Sequence, residues 1–303
     1  MAKEGKQPIH IPVMLNEVLE HFAPKPGDSY IDCTAGEGGH SIAIAKMVIP
    51  EGKVLSIEAD PEELQVFKSR VEDSGLQTII STVNGNFRNV KQLAEQAGFE
   101  NVDGVLFDLG FSSWQLEKSG RGFTFQKEEI MDMRFDSNDD SRPKAADILN
   151  LASKKHLEWI FSEYGEERHA KRIAKAVVER RKKNHFQTTG DFIEAVESVV
   201  KRRGKIHPAT RVFQALRIAV NGEFDNIKEG LANAVNIVKS DGKIAVITFH
   251  SLEDRIVKNI FRSWVREEGL GELVNKNVII PSEEEINKNP RARSAKLRVF
   301  KKS

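Results

Sequence analysis

The chain has a single cysteine, Cys33, among 303 residues. One thiol excludes an intramolecular disulfide and leaves no cysteine cluster to hold a structural zinc, and no residues are assigned to a metal. Long apolar runs are missing too. A membrane-spanning helix needs roughly 20 apolar residues, and no stretch approaches that length. The opening MAKEGKQPIH lacks the apolar core of a signal peptide, so the expected location is cytoplasmic. Net charge is equally scarce: 46 Lys and Arg against 45 Asp and Glu leave a formal +1. A nucleic-acid binder usually carries an overall basic excess, and this total supplies none. Low-complexity tracts are absent, and 39% hydrophobic with 30% charged residues can build a core. At about 100–200 residues per domain, the length allows roughly two domains.

What the chain does have is alternation. SYIDCT (29–34), KVLSIEA (53–59), TIISTV (78–83) and DGVLFDL (103–109) are rich in Ile, Val and Leu and bounded by Gly, Asp or Asn, as buried strands are. Helical spacing lies between them, from Glu62 to Asp73 and from Val90 to Ala97. This predicts βαβ units around a parallel sheet. After Phe125 the strands stop. KAADILNLA, KHLEWIFSEY, AKRIAKAVVERRKK and TGDFIEAVESVVKRR predict helices up to about Arg203. Strand character returns at KIAVITF (243–249), NVIIP (277–281) and AKLRVF (295–300). The pattern reads as one α/β sheet domain, 1–125 and 207–303, interrupted by a helical insert at 126–206, with no internal repeat.

The strand ending at Asp32 runs into DCTAGEGGHS, with Gly36, Gly38 and Gly39 ahead of a helical stretch from Ser41 to Val48. Glycines there let the backbone turn tightly and approach a ligand without an intervening Cβ. Ser41 stands where the dinucleotide fingerprint has its third glycine. Glu58 and Asp60 end the second strand, where an acidic side chain accepts hydrogen bonds from ribose hydroxyls. A glycine turn beside exposed acids would look similar alone; Asp108 and the tract after it favour an adenosine-containing ligand. NAD brings a pyrophosphate and favours the complete glycine pattern, whereas S-adenosylmethionine needs only close backbone approach. The loop favours the second.

The fourth strand ends in FDLGFSSWQLEKSGRGFTF, which sets Asp108 at its carboxyl end, where open parallel sheets bind ligands. A solvated strand-end acid is the plainer reading of Asp108 taken alone. The series HIPVMLNEVL, GEGGHS, DLGFSSWQL, RGFTF, MDMRF, GEERHAKRIA, HPATRVFQALRIAVN, FHSLEDRIVK and NPRARSAKLR resembles the bacterial 16S rRNA (cytosine-N4)-methyltransferase family. The likeness runs in order from His10 to about Phe300. Each piece is weak by itself; nine in order are specific.

The resemblance implies S-adenosylmethionine-dependent methylation of a decoding-centre cytosine N4 in 16S rRNA, within the small ribosomal subunit. It also implies a class I methyltransferase (Rossmann-like) sheet with a helical substrate-binding insert. No membrane or DNA partner is expected, and a homodimer is left open. Carried over by motif, the cofactor contacts are Gly38, Gly39, His40, Glu58, Phe87, Asp108 and Gln115. Three places depart from the family pattern: Glu58 where Asp is usual, Trp114 where Pro is usual, and Ile130-Met131 where Pro-Leu is usual. These bear on loop shape and substrate fit more than on reaction class.

A cytosine N4 amine is a poor nucleophile because its lone pair is delocalised into the ring. The enzyme must hold it about 3–3.5 Å from the methyl donor and accept hydrogen bonds from its protons. Asp108, Ser112 and Ser113 are the candidate catalytic residues. If Asp108 serves the cofactor, a serine hydroxyl or backbone carbonyl serves the amine.

His250, Ser251 and Asp254 resemble a hydrolytic triad, but Ser251 with an acid three residues on reads better as a helix N-cap. His207 before Pro208 reads as the start of an amphipathic helix carrying Val212, Leu216, Ala219 and Val220. Trp114, Phe123 and Phe125 could stack a flipped base or could be core. Positive charge gathers in two places. Lys171, Arg172, Lys175, Arg180, Arg181, Lys182, Lys183 and His185, with Lys201, Arg202, Arg203 and Lys205, lie in the insert; Arg291, Arg293, Lys296 and Arg298 lie near the end. The neutral total therefore conceals a candidate RNA footprint beside acid-rich stretches such as Glu283 to Glu285.

Overall fold

A computed structural model describes residues 12–201 and 207–303; His10, Arg202, Arg203 and Lys205 lie outside the described residues. Contacts divide the chain into two units, one made of the residues up to Gly110 with Asp225–Ser303, the other Phe111–Phe224.

The first unit starts with α1 (Leu15–Phe22), β1 (Ser29–Asp32), α2 (Gly39–Val48) and β2 (Lys53–Glu58). It continues through α3 (Pro61–Ser74), β3 (Ile80–Asn84), α4 (Val90–Gln96) and β4 (Val102–Asp108). Val54, Leu55, Ile57, Val105 and Leu106 are all fully buried, as expected of parallel strands covered on both faces. Asp60 starts α3: its side chain accepts from the backbone N–H groups of Glu62 and Glu63, with Pro61 at the first helical position.

The second unit holds α5 (Ser113–Glu117), α6 (Ala145–Leu151), α7 (Lys154–Trp159), α8 (Ala170–Arg181), α9 (Thr189–Glu197) and α10 (Ala209–Asn221). A π-helical turn, Ile160–Tyr164, extends α7. The apolar face of α8 is buried at Ala170, Ile173, Ala174 and Val177. This unit is wider than the 126–206 expected from sequence. On the carboxyl side the reason is α10, which buries Val212, Phe213, Leu216 and Val220 in one cluster with Phe161, Ile173 and Phe192. On the amino side Phe111 stacks on Phe123, ring centroids 6.0 Å apart.

The chain then runs through α11 (Glu223–Ile237), β5 (Val238–Thr248), α12 (Ser251–Arg266), β6 (Gly271–Leu273), α13 (Glu283–Lys288) and β7 (Lys296–Lys302). The sheet order is β3-β2-β1-β4-β5-β7-β6. All pairings are parallel except those of β7, which is antiparallel to β5 and β6. Order reverses between β1 and β4, which makes that the switch point of the sheet.

The NVIIP segment is not one of these strands. Ile279 makes a single bridge to Leu297, with both backbone hydrogen bonds formed. The next hydrogen-bonded pair would need an N–H from Pro281, which has none. Three residues at β6 take the sheet edge instead.

Candidate active site

Asp32 and Asp108 end the two strands that flank the switch point. Asp32 is fully buried; its Oδ2 accepts from Ser41 Oγ at 2.7 Å and its Oδ1 from the Thr34 amide at 3.2 Å. Ser56 Oγ donates to Ser41 Oγ at 2.8 Å, and Asp108 N donates to Thr34 Oγ1 at 2.6 Å. One chain of hydrogen bonds, buried at Asp32, Ser41 and Ser56, thus joins β2, α2, β1 and β4. Ser41, at the place of the third fingerprint glycine, connects the helix to the sheet through its hydroxyl. Burial pushes the Asp32 carboxyl up, against the pull of His40, Ser41 and Thr34. Sequence reasoning passed over Asp32 and Thr34, although an acid immediately before a glycine loop was visible.

His40 lies in the first turn of α2 and is 4% exposed. Its Nε2 is 3.6 Å from Asp108 Oδ2. Burial pulls the imidazole pKa down, but hydrogen bonding and attraction from Asp108, together with Asp32 and the Val13 backbone, outweigh it and raise the value. Asp108 Oδ1 is buried without a hydrogen-bond partner among the described residues. A buried carboxylate oxygen left in this state is costly unless a ligand donates to it.

Glu58 ends β2 and is also buried. Its Oε2 accepts from the Gly36 amide at 2.7 Å and its Oε1 from the Asp60 amide at 2.8 Å. Burial pushes its pKa up to about 7, against these two amides, with Asp60 and Asp32 adding to the rise. Asp60 itself is occupied as the α3 cap. A Cβ on Gly38 would fall 2.0 Å from the Phe67 ring, and one on Gly39 would fall 2.6 Å from Pro12 Cγ. The absent side chains at these two glycines therefore admit the protein's own residues. Phe87 follows β3 and meets Phe107 edge-on at 5.5 Å.

Together these groups fit S-adenosylmethionine. An orphan carboxylate oxygen at Asp108 can take a donor of the cofactor, and each Glu58 oxygen keeps a second lone pair for a ribose hydroxyl.

In the second unit, Ser112 caps α5. Its Oγ accepts from the Gln115 amide at 3.0 Å, and Gln115 Oε1 accepts from the Ser112 amide at 3.1 Å. Ser113 is the first helical residue. Phe123 lies between Phe111 and Phe135 with near-parallel rings, and Phe125 between His207 and Phe213. Trp114 is 9% exposed and meets the Arg121 guanidinium 5.7 Å away. Trp114 and Phe123 are buried, with both faces of Phe123 covered, so neither is a base-stacking platform; Phe125 is half-buried and packs against the core of this unit.

The basic residues sort in the same way. Arg180 pairs with Asp191 at 2.7 Å, and Arg181 donates to the carbonyls of Leu149 and Ala152. Arg172 donates to the Val199 carbonyl, and Arg298 pairs with Asp254 at 2.7 Å. Those four serve the fold. Lys171, Lys175, Lys183 and His185 are exposed, as are Arg291 and Arg293.

The cap of α12 is His250, one residue earlier than expected from sequence. Glu253 closes its capping box, Ser251 is the first helical residue, and Asp254 faces Arg298 and Lys296. His207 Nδ1 accepts from the Ala209 amide at 3.2 Å, just ahead of α10.

The model of the MraW methylase family matches residues 7–303. Ribosomal RNA small subunit methyltransferase H of Carboxydothermus hydrogenoformans is 44% identical, over 97% of this chain and 97% of its own. The protein of the same name from Dictyoglomus thermophilum is 45% identical, over 98% and 97%. A solved Clostridium thermocellum protein described as a candidate rRNA-methylase shares the fold. It is 10% identical at TM-score 0.50, covering 97% of this chain and all of its own.

Proposed function

The chain belongs to the MraW methylase family, and from that premise we propose that it methylates N4 of cytosine 1402 at the decoding centre of 16S rRNA. The methyl donor is S-adenosylmethionine, which supplies an electrophilic sulfonium methyl when bound. The observation that carries the reading is the buried, partnerless Oδ1 of Asp108 at the sheet's switch point, with His40 on its other oxygen.

In this reading Gly38, Gly39, His40, Glu58, Phe87, Asp108 and Gln115 hold the cofactor. Glu58 accepts from the ribose hydroxyls, and Phe87 packs beside the base. With Asp108 committed to the cofactor, the Ser112 and Ser113 hydroxyls serve the reacting amine by accepting hydrogen bonds from its protons, which keeps its lone pair directed at the methyl carbon. The proton released on transfer passes to water. The partner is 16S rRNA within the small ribosomal subunit rather than DNA, as the names of the similar proteins support. Phosphate contacts fall to the exposed Lys171, Lys175 and Lys183, with the exposed Arg291 and Arg293 as a second basic group. No helix among the described residues is long and apolar enough to cross a membrane.

The test is a substrate panel with methyl-labelled cofactor: unmethylated small subunits, naked 16S rRNA and DNA. Label is expected in small-subunit rRNA; label in DNA alone would overturn the reading. Cofactor binding without turnover on any substrate would instead make the protein a ribosome-assembly factor.

A further inference from the structure

Ser282 and Glu285 stand in the spacing of a capping box at α13. Only half of the box forms. Ser282 Oγ accepts from the Glu285 amide at 3.1 Å, whereas Glu285 Oε1 accepts from the backbone N–H of Met14, 271 residues away, at 2.6 Å. Met14 has φ 55° and ψ 33°, a left-handed conformation that a methionine holds only when its surroundings impose it. Its side chain and that of Val13 are buried in the core of the sheet unit. The residue before them, Pro12, rests on Gly39 at the amino end of α2. His40 follows Gly39 directly in α2, with its Nε2 3.6 Å from Asp108 Oδ2.

We propose that Glu285 is a positioning residue for the cofactor loop: its grip on Met14 holds Pro12–Met14 against the start of α2 and keeps His40 aimed at Asp108. The proposal rests on the reading of His40 and Asp108 as cofactor residues. A local capping box would satisfy only the helix that carries it; the observed contact joins the two ends of the chain at the site. Three acids act on His40, namely Asp108 from β4, Asp32 from β1 and Glu285 from α13, while Glu17 of α1 faces Glu285.

Two variants separate latch from charge. Glu285→Gln keeps a side-chain oxygen at full reach and removes the charge, whereas Glu285→Asp keeps the charge and shortens the reach. The readouts are calorimetric affinity for S-adenosylhomocysteine and the NMR titration of the His40 ring. Glu285→Asp is expected to weaken binding about tenfold and to shift the His40 midpoint, with Glu285→Gln within about twofold of wild type. Wild-type affinity with an unshifted His40 in Glu285→Asp would overturn the proposal, as would equal impairment in both variants. Wild-type protein that binds no S-adenosylhomocysteine would overturn the cofactor reading itself, and the His40 titration would still decide the latch.

Discussion

Glu58 Oε2 accepts a hydrogen bond from the Gly36 amide at 2.7 Å, so the acid at the end of β2 fastens the glycine loop that follows β1. The same carboxylate faces the ribose in the proposed site, which joins loop shape and cofactor affinity in one titrating group.

Its pH dependence has a definite sign. The pKa of Glu58 rises from 4.5 to about 7 on burial, so the folded protein binds a proton there that the unfolded chain has released. Stability from this group is full below 4.5 and is lost as pH rises to about 7. Cofactor affinity runs the other way, since ribose hydroxyls need the ionised acceptor. S-adenosylhomocysteine should bind more tightly at pH 8 than at pH 6. In Glu58→Gln that step should vanish, and affinity at pH 8 should fall about tenfold or more. Calorimetry at both pH values checks this, and thermal melts should show the variant gaining stability relative to wild type at the higher pH.

Asp108→Ala should abolish cofactor binding and methyl transfer together. Asp108→Asn keeps the shape but removes the largest influence raising the His40 pKa, so the His40 titration should fall. Full activity of Asp108→Ala would remove the residue from the site.

Ser41→Ala leaves a fully buried Asp32 without its hydroxyl donor. The expected loss is about 1–3 kcal/mol of stability, read by denaturant unfolding. Ser41→Gly restores the dinucleotide fingerprint in sequence but removes the same hydroxyl, and should be no more stable and gain no affinity for NAD. A tight NAD complex would show that the loop, rather than the hydrogen-bond chain, selects the cofactor.

Changing Lys171, Lys175 and Lys183 together to Ala should weaken RNA binding and reduce the slope of log affinity against log salt by roughly 2–3. Arg180→Ala is the structural contrast, because it breaks the pairs with Asp191 and Glu194 and should lower stability. An unchanged salt slope in the triple variant would return those lysines to a solvated helix face.

The sheet was legible in sequence wherever burial on both faces produced continuous apolar runs, as at β2 and β4. NVIIP carried the same composition, yet Pro281 denies it the next hydrogen bond. The stripe of α10 is equally plain, but nothing local in Val212 or Leu216 names the partners Phe161 and Phe192, so the helical unit Phe111–Phe224 extends past the bounds that periodicity indicates. Motif resemblance proposes His40, Glu58 and Asp108 as cofactor residues. It could not reveal that Phe123 is covered on its ring faces, or that Glu285 bonds to Met14 rather than to its own helix. Such pairings depend on residues brought together only by the fold. The near-zero net charge likewise concealed the difference between Arg180, held by acids, and Lys171, left exposed.

Identifying the product nucleoside separates N4 methylation of cytosine from every alternative. Unmethylated small subunits incubated with the protein and S-adenosylmethionine would be digested to nucleosides and resolved by mass spectrometry against isomeric methylcytidine standards. The expected product is N4-methylcytidine from the decoding-centre position, absent when Asp108→Ala replaces the wild type. Methylation on cytosine C5, on a ribose hydroxyl or on another base would contradict it.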